Sequence, residues 1–268
     1  MSVPSLPSAS TTCLLRGVEH GELGTATLRV LDGVEVALAI SAGVDPAIQE
    51  RKRGYEHLNE DVVFACLGAD RWVLAVADGH EGIEASHELI DHLAAHVASY
   101  PRLPREQAHW WRDAAREIGG LGYAGSTLVV ACWEPRARRV TGLSYGDSRV
   151  WRWRPTKGLR SLAAPTHSFV RPGDLYGWHP DHARFIEEPW RPGDVLLVHT
   201  DGVTECCYRD TEASVGEAEI AALCAAVEGE PSALVRDVLD AALRGVRGHP
   251  GGQDNVAIVA ARPPAALR

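Results

Sequence analysis

Two unbroken apolar runs, "VVFACL" (Val62 to Leu67) and "WVLAVA" (Trp72 to Ala77), are separated by only the four residues "GADR". A connection that short returns one run directly on the other as an antiparallel hairpin. Neither run alternates apolar with polar residues, which is the pattern of buried strands. The fold must therefore provide cover for them.

The same pattern recurs along the chain. "TATLRVL" and "EVALAISA" flank an Asp-Gly turn at Asp32 and Gly33, and "STLVVACW" and "RVTGLSYG" flank "EPRAR". Both pairs read as hairpins. "RVWRWR" (Arg149 to Arg154), "DVLLVHT" (Asp194 to Thr200) and "NVAIVAA" (Asn255 to Ala261) add further strands. The period changes between Ile83 and Val97, where Ile83, Leu89, Ile90, Leu93 and Val97 share one helical face. More helices are expected from Arg105 to Ile118 and, as a pair, between Gly216 and Val246. The stretch from Pro155 to Pro192 reads as irregular. Hairpin-linked strands with helices grouped between them imply an α+β fold, antiparallel sheets covered by helices. Residues 1–15, rich in Ser, Pro and Thr, are expected to be a flexible lead-in, and residues 16–268 a single domain.

Composition excludes some partners. The 27 basic residues against 36 acidic ones leave a net charge of −9, spread along the chain, so a nucleic-acid partner is not expected. No segment is long and apolar enough for a membrane span or a signal peptide, and the chain reads as cytoplasmic. The six cysteines lack metal-type spacing and read as reduced, buried thiols. His92 and His96, at i and i+4, lack the surroundings of a zinc motif and fit a polar helix face.

The acids sit where the strands end. Asp61 immediately precedes the first run of the opening hairpin and Asp78 immediately follows the second, so pairing brings the two carboxylates together. Asp147 follows the third hairpin, Asp201 ends "DVLLVHT", and Asp254 precedes the last strand. One carboxylate at a strand end is an ordinary loop residue. Several gathered at one end of a sheet core repel one another unless protonated or bridged by cations, and all-oxygen ligation selects hard ions such as magnesium or manganese. Two such ions sharing a carboxylate, about 3.5–4 Å apart, hold a water suited to hydrolysing a phosphate ester.

The ordered set "NED" (Asn59 to Asp61), "DGH" (Asp78 to His80), "GST" (Gly125 to Thr127), "GDSR" (Gly146 to Arg149), "TDGVTE" (Thr200 to Glu205) and "DN" (Asp254, Asn255) resembles the motifs of the metal-dependent Ser/Thr protein phosphatases of type 2C. The resemblance implies a four-layer αββα sandwich of two antiparallel sheets flanked by helices. It also implies a centre of two Mn2+ or Mg2+ ions. In it Asp78 would bridge the ions, Gly79 would offer its carbonyl, and Asp201 and Asp254 would complete one shell. Asp61, with Glu60, would ligate directly or through water. Asp147 would serve a third, weaker ion, and Glu205 matches the acid that closes its motif. His80 would be the general acid for a serine or threonine leaving group.

The implied activity is protein-serine/threonine phosphatase, acting on phosphoserine or phosphothreonine proteins in signalling. Its alternatives are a regulator-specific serine phosphatase of bacterial stress or sporulation signalling, and a pseudophosphatase that binds phosphoproteins without turnover. Two positions depart from the family pattern. Glu56 stands where the family usually has a phosphate-pairing arginine, and Glu81 where a small residue is common. Arg51, Lys52 and Arg53 are the nearest replacements for the arginine, though each reads as a solvated loop charge. Trp178, His179, His182 and Trp190, in the position of the family's variable flap, are candidates for substrate contact or for packing.

Overall fold

The chain enters the fold as a strand. In the computed structural model, which describes residues 10–31, 34–52, 56–120, 122–173 and 178–263, β1 (Thr11–Arg16) pairs antiparallel with a strand about fifty residues further on. The expected flexible lead-in is thus corrected over residues 11–15: polar Thr11 and Thr12 lie exposed at an edge, while Leu15 is buried against the core. The predicted turn at Asp32 and Gly33 lies outside the described residues.

β2 (Ala26–Val30) and β3 (Val36–Ser41) are followed by the short helix α1 (Ala47–Arg51). The opening hairpin forms as predicted, with β4 (Val62–Leu67) and β5 (Trp72–Ala77) in register from Val62 opposite Ala77 to Leu67 opposite Trp72. A two-residue strand β6 (Gly79–His80), helices α2 (Glu84–His96) and α3 (Pro104–Ile118), and a second two-residue strand β7 (Gly125–Ser126) come next. Strands β8 (Leu128–Glu134), β9 (Arg139–Tyr145) and β10 (Arg149–Arg154) follow.

The stretch read as irregular holds two strands, β11 (Gly158–Ser161) and β12 (Arg184–Pro189), each at a sheet edge. β13 (Val195–His199), α4 (Glu217–Ala226), α5 (Pro231–Arg244) and β14 (Val256–Ala261) complete the order. One sheet runs β1-β4-β5-β8-β9-β12, the other β11-β10-β13-β14-β3-β2, and β6 pairs with β7 as a small ribbon. All of these pairings are antiparallel.

Alternate residues of each strand serve different cores, which explains the unbroken apolar runs. Val63, Ala65 and Leu67 of β4 face the second sheet, among Leu38, Ile40 and Val259. Val62, Phe64 and Cys66 face α2 and α3, among Leu89, Ile90, Leu93 and Trp111. On the far side, Leu234, Val235 and Val238 of α5 pack on Ala39, Val256 and Ile258. Each fully buried side chain of this size contributes roughly 1.5–3 kcal/mol by leaving water. The result is the four-layer αββα sandwich expected from the sequence. All six cysteines are unpaired, and all but Cys13 are buried.

Candidate metal centre

Strand ends from both sheets converge at one edge of the sandwich. Asp61 abuts β4 and Asp78 abuts β5, so the register that pairs Val62 with Ala77 sets these two acids side by side. Asp147 lies in the connection where the chain leaves β9 in one sheet for β10 in the other. Asp201 follows β13 and Asp254 precedes β14, which pair antiparallel and so share an end. Asp78, Asp147 and Asp201 each bring a carboxylate oxygen within 4.8 Å of the others.

The donor chemistry of this cluster fits hard divalent cations. Asp61 is 1% exposed. Its Oδ2 accepts from the Thr200 hydroxyl at 2.7 Å, while its Oδ1, like Oδ1 of Asp147, is buried without a hydrogen-bond partner. Burial, and then the charge of Asp78, push the pKa of Asp61 well above the usual carboxylate range. Asp201 is raised likewise by burial and then by Asp78, Asp254 and Asp147, and Asp147 by burial and Asp78. Orphaned oxygens on mutually repelling buried carboxylates are satisfied by manganese or magnesium, which take oxygen ligands. Glu205 is half-buried at the margin, raised by burial and by Asp147 and Asp254.

The motif glycines are set by close approach. A Cβ on Gly79 would stand 2.8 Å from the Gly82 carbonyl oxygen and 2.9 Å from Glu60, whose own carbonyl accepts from the Gly79 N–H at 3.2 Å. On Gly202 it would fall 1.6 Å from the Asn255 carbonyl oxygen. No other residue lets the strand ends come this near. Asn255 locks the junction, its side chain accepting from the Glu60 N–H at 3.1 Å and donating to the Leu58 carbonyl at 2.8 Å. Thr127 accepts from the Asp78 N–H at 3.1 Å and shares a hydrogen bond with Ser148 at 2.7 Å.

His80, on β6 opposite Gly125, places Nε2 3.4 Å from Asp78 Oδ2 and its ring beside Phe169. Burial works against its protonation, but the neighbouring Asp78, with Asp147 and Glu60 beyond it, outweighs this and raises its pKa. Asp78 is in turn held below its usual value: burial opposes the charge, and His80 and Lys52 prevail over it.

The basic residues before this edge need correction. Arg51 and Lys52 are not solvated loop charges. Arg51 donates to Asp254 Oδ1 at 3.0 Å and to the Gln253 carbonyl at 2.7 Å. The Lys52 side chain is 11% exposed, and its ammonium is bonded to the buried Glu60 carboxylate and to Asn255. Arg53 lies outside the described residues, and Glu56 is exposed. Glu81 is also exposed, with φ of 63°, in the left-handed region that favours glycine. Trp178 and Trp190 are each 6% exposed and belong to the packed interior, whereas His179 and His182 are exposed. Thr200 falls inside the "TDGVTE" motif with no role assigned to it from the sequence, and the pairing of Lys52 with Glu60 and Asn255 has no sequence signal beyond its charge.

Residues 69–264 match the profile of the family described as Stage II sporulation protein E (SpoIIE). The chain belongs to the SpoIIE family. A search of curated protein sequences finds no match to this SpoIIE-family chain. Among solved structures, its fold is similar to that of the Mycobacterium tuberculosis serine/threonine phosphatase PstP/Ppp, with a TM-score of 0.64 at 21% identity over 88% of this chain and 99% of that one. The catalytic domain of PstP in complex with two manganese ions superposes with a TM-score of 0.62 at 23% identity, covering 89% and 99% of the two chains. RsbX in complex with magnesium gives 0.59 at 13% identity, covering 88% and 98%. The SpoIIE-family chain thus has the type 2C phosphatase fold that its motifs implied.

Proposed function

We propose that the chain is a metal-dependent protein-serine/threonine phosphatase that hydrolyses phosphoserine and phosphothreonine in proteins, in a cytoplasmic signalling role. The observation that carries this reading is the meeting of Asp78, Asp147 and Asp201 oxygens within 4.8 Å, beside a buried Asp61 with an unpartnered oxygen. Asp61, Asp78, Asp147, Asp201, Asp254 and the Gly79 carbonyl are the groups that would hold Mn2+ or Mg2+. Such ions, when bound, activate water near neutral pH and offset charge on a phosphoryl group. The solved relatives with manganese and with magnesium support that choice of ion.

The chain's own residues do the rest. Asp78 holds His80 close and raises its proton affinity, so the imidazolium can give its Nε2 proton to the departing serine or threonine oxygen. Thr200 fixes one oxygen of Asp61, and Thr127 and Ser148 fix the backbone on either side of the cluster. Among the described residues, Arg51 is the guanidinium paired with a carboxylate of the cluster, Asp254 at 3.0 Å, which favours it as the replacement for the arginine absent at Glu56. The unpaired cysteines agree with a reducing compartment.

The test is phosphate release from para-nitrophenyl phosphate and from a phosphothreonine peptide, with manganese and with chelator. Manganese-dependent release is expected from both, and Asp201→Asn should lose metal and activity together. A folded protein with no release would leave phosphoprotein binding without turnover.

A further inference from the structure

A cavity of about 250 Å³ opens beside Asp254, lined by Ala47, Glu50 and Arg51 on one side and by Tyr208, Arg209 and Gln253 on the other. Arg51 is the wall it shares with the carboxylate centre. Its guanidinium donates to the Gln253 carbonyl at 2.7 Å and to Asp254 at 3.0 Å, and lies 3.8 Å from the centroid of the Tyr208 ring. Stacking and hydrogen bonds together fix a side chain that would otherwise sample many rotamers. The Gln253 amide oxygen accepts from the Arg209 N–H at 3.3 Å and holds the second wall in place. Tyr208 is 49% exposed. Arg209 is exposed, and no carboxylate among the described residues lies within ion-pair reach of it.

We propose that this cavity is a specificity subsite that takes an acidic side chain close in sequence to the phosphorylated residue. The proposal rests on the phosphatase reading above and adds to it the class of substrate. Three features carry it. A chain of net charge −9 repels acidic peptides in general, so a local cationic wall is required for one to dock. Arg209 supplies an unpaired guanidinium at the mouth, and guanidinium pairs with carboxylate through two parallel hydrogen bonds. The Tyr208 ring offers apolar surface for the methylenes of a glutamate, which favours glutamate over aspartate. Glu50 stands on the α1 side and steers an incoming carboxylate toward the Tyr208 and Arg209 wall. Because Gln253, which lines the cavity, adjoins Asp254, the acidic position lies close in sequence to the phosphorylated one.

The test uses binding, so it does not depend on turnover. Fluorescent peptides carrying a non-hydrolysable phosphonate analogue of phosphoserine, with Glu, Ala or Lys at each flanking position, are titrated with the full chain and manganese and followed by anisotropy. The glutamate peptide should bind about three- to tenfold more tightly than the alanine one at one or two positions, the range of a partly exposed charge-assisted contact. Arg209→Ala should abolish that preference, and Arg209→Glu should reverse it in favour of lysine, while hydrolysis of para-nitrophenyl phosphate stays unchanged. Tyr208→Ala should reduce the preference for glutamate over alanine. Equal binding of all three peptides, or a preference that survives Arg209→Glu, overturns the subsite. Failure to hydrolyse para-nitrophenyl phosphate, with the binding preference intact, overturns the phosphatase reading alone.

Discussion

Thr200 donates its hydroxyl to Asp61 Oδ2 at 2.7 Å across 139 residues of sequence. The Thr200 hydroxyl oxygen also accepts from the Ala257 N–H at 3.0 Å, so one side chain ties the β13–β14 end of one sheet to the start of β4 in the other. Thr200→Val keeps the shape and removes both bonds. Manganese affinity, measured by calorimetric titration, should fall about tenfold, as expected for loss of a group that orients a ligand. Thr200→Ser should restore most of it. An unchanged affinity in the valine variant would show that Asp61 needs no orientation.

Lys52 is a cation built into an acidic edge. Burial works against its charge, but Glu60, Asp254 and Asp78 together raise its pKa. Lys52→Gln leaves Glu60 buried without its counter-charge, and breaking a buried pair costs about 3–5 kcal/mol. Denaturant unfolding in chelator should show a loss of that order, and saturating manganese should shrink it by supplying positive charge. A loss of equal size in both conditions would separate Lys52 from the charge balance of the site.

His80→Ala should act unevenly on substrates. Serine and threonine alkoxides need a proton to leave, whereas a nitrophenolate leaves unaided. Turnover of a phosphothreonine peptide should drop by about 10²–10⁴, and that of para-nitrophenyl phosphate by far less. Equal losses would point to positioning of Asp78 instead.

His87, on α2 away from the carboxylates, gives a pH signature of its own. Burial, with Arg16 and His57 adding to it against Asp91, lowers its pKa to about 4, and its Nε2 is buried without a partner. An unfolded histidine titrates near 6.5. Between those values the unfolded chain binds the extra proton, so stability is full above about pH 6.5 and declines toward pH 4. Unfolding at pH 7 and pH 5 should differ by about 1–2 kcal/mol more in the parent protein than in His87→Gln. Parallel pH profiles would remove His87 from the account.

The sandwich was legible because β4, β5, β8, β13 and β14 are covered on both faces and so read as unbroken apolar runs. The meeting of Asp61 with Asp78 followed from hairpin geometry alone. The edge strands were not legible. β1 ("TTCLLR") and β12 ("RFIEEP") have one exposed side and mix charge, hydroxyl and proline into short segments, so pairing with a neighbour, not local pattern, makes them strands. The pairings of Arg51 and Lys52 were hidden for a related reason. Their partners Asp254 and Asn255 lie about two hundred residues downstream, and no spacing rule links residues that meet only when two sheets close.

The acidic edge is therefore a seam: Asp61 and Asp78 ride on one sheet, Asp201 and Asp254 on the other, and Asp147 on the strand-to-strand passage between them. Their spacing is a readout of how the two sheets are stacked. Any displacement of one sheet along the other would change the distances among these carboxylates without altering a single residue of the edge.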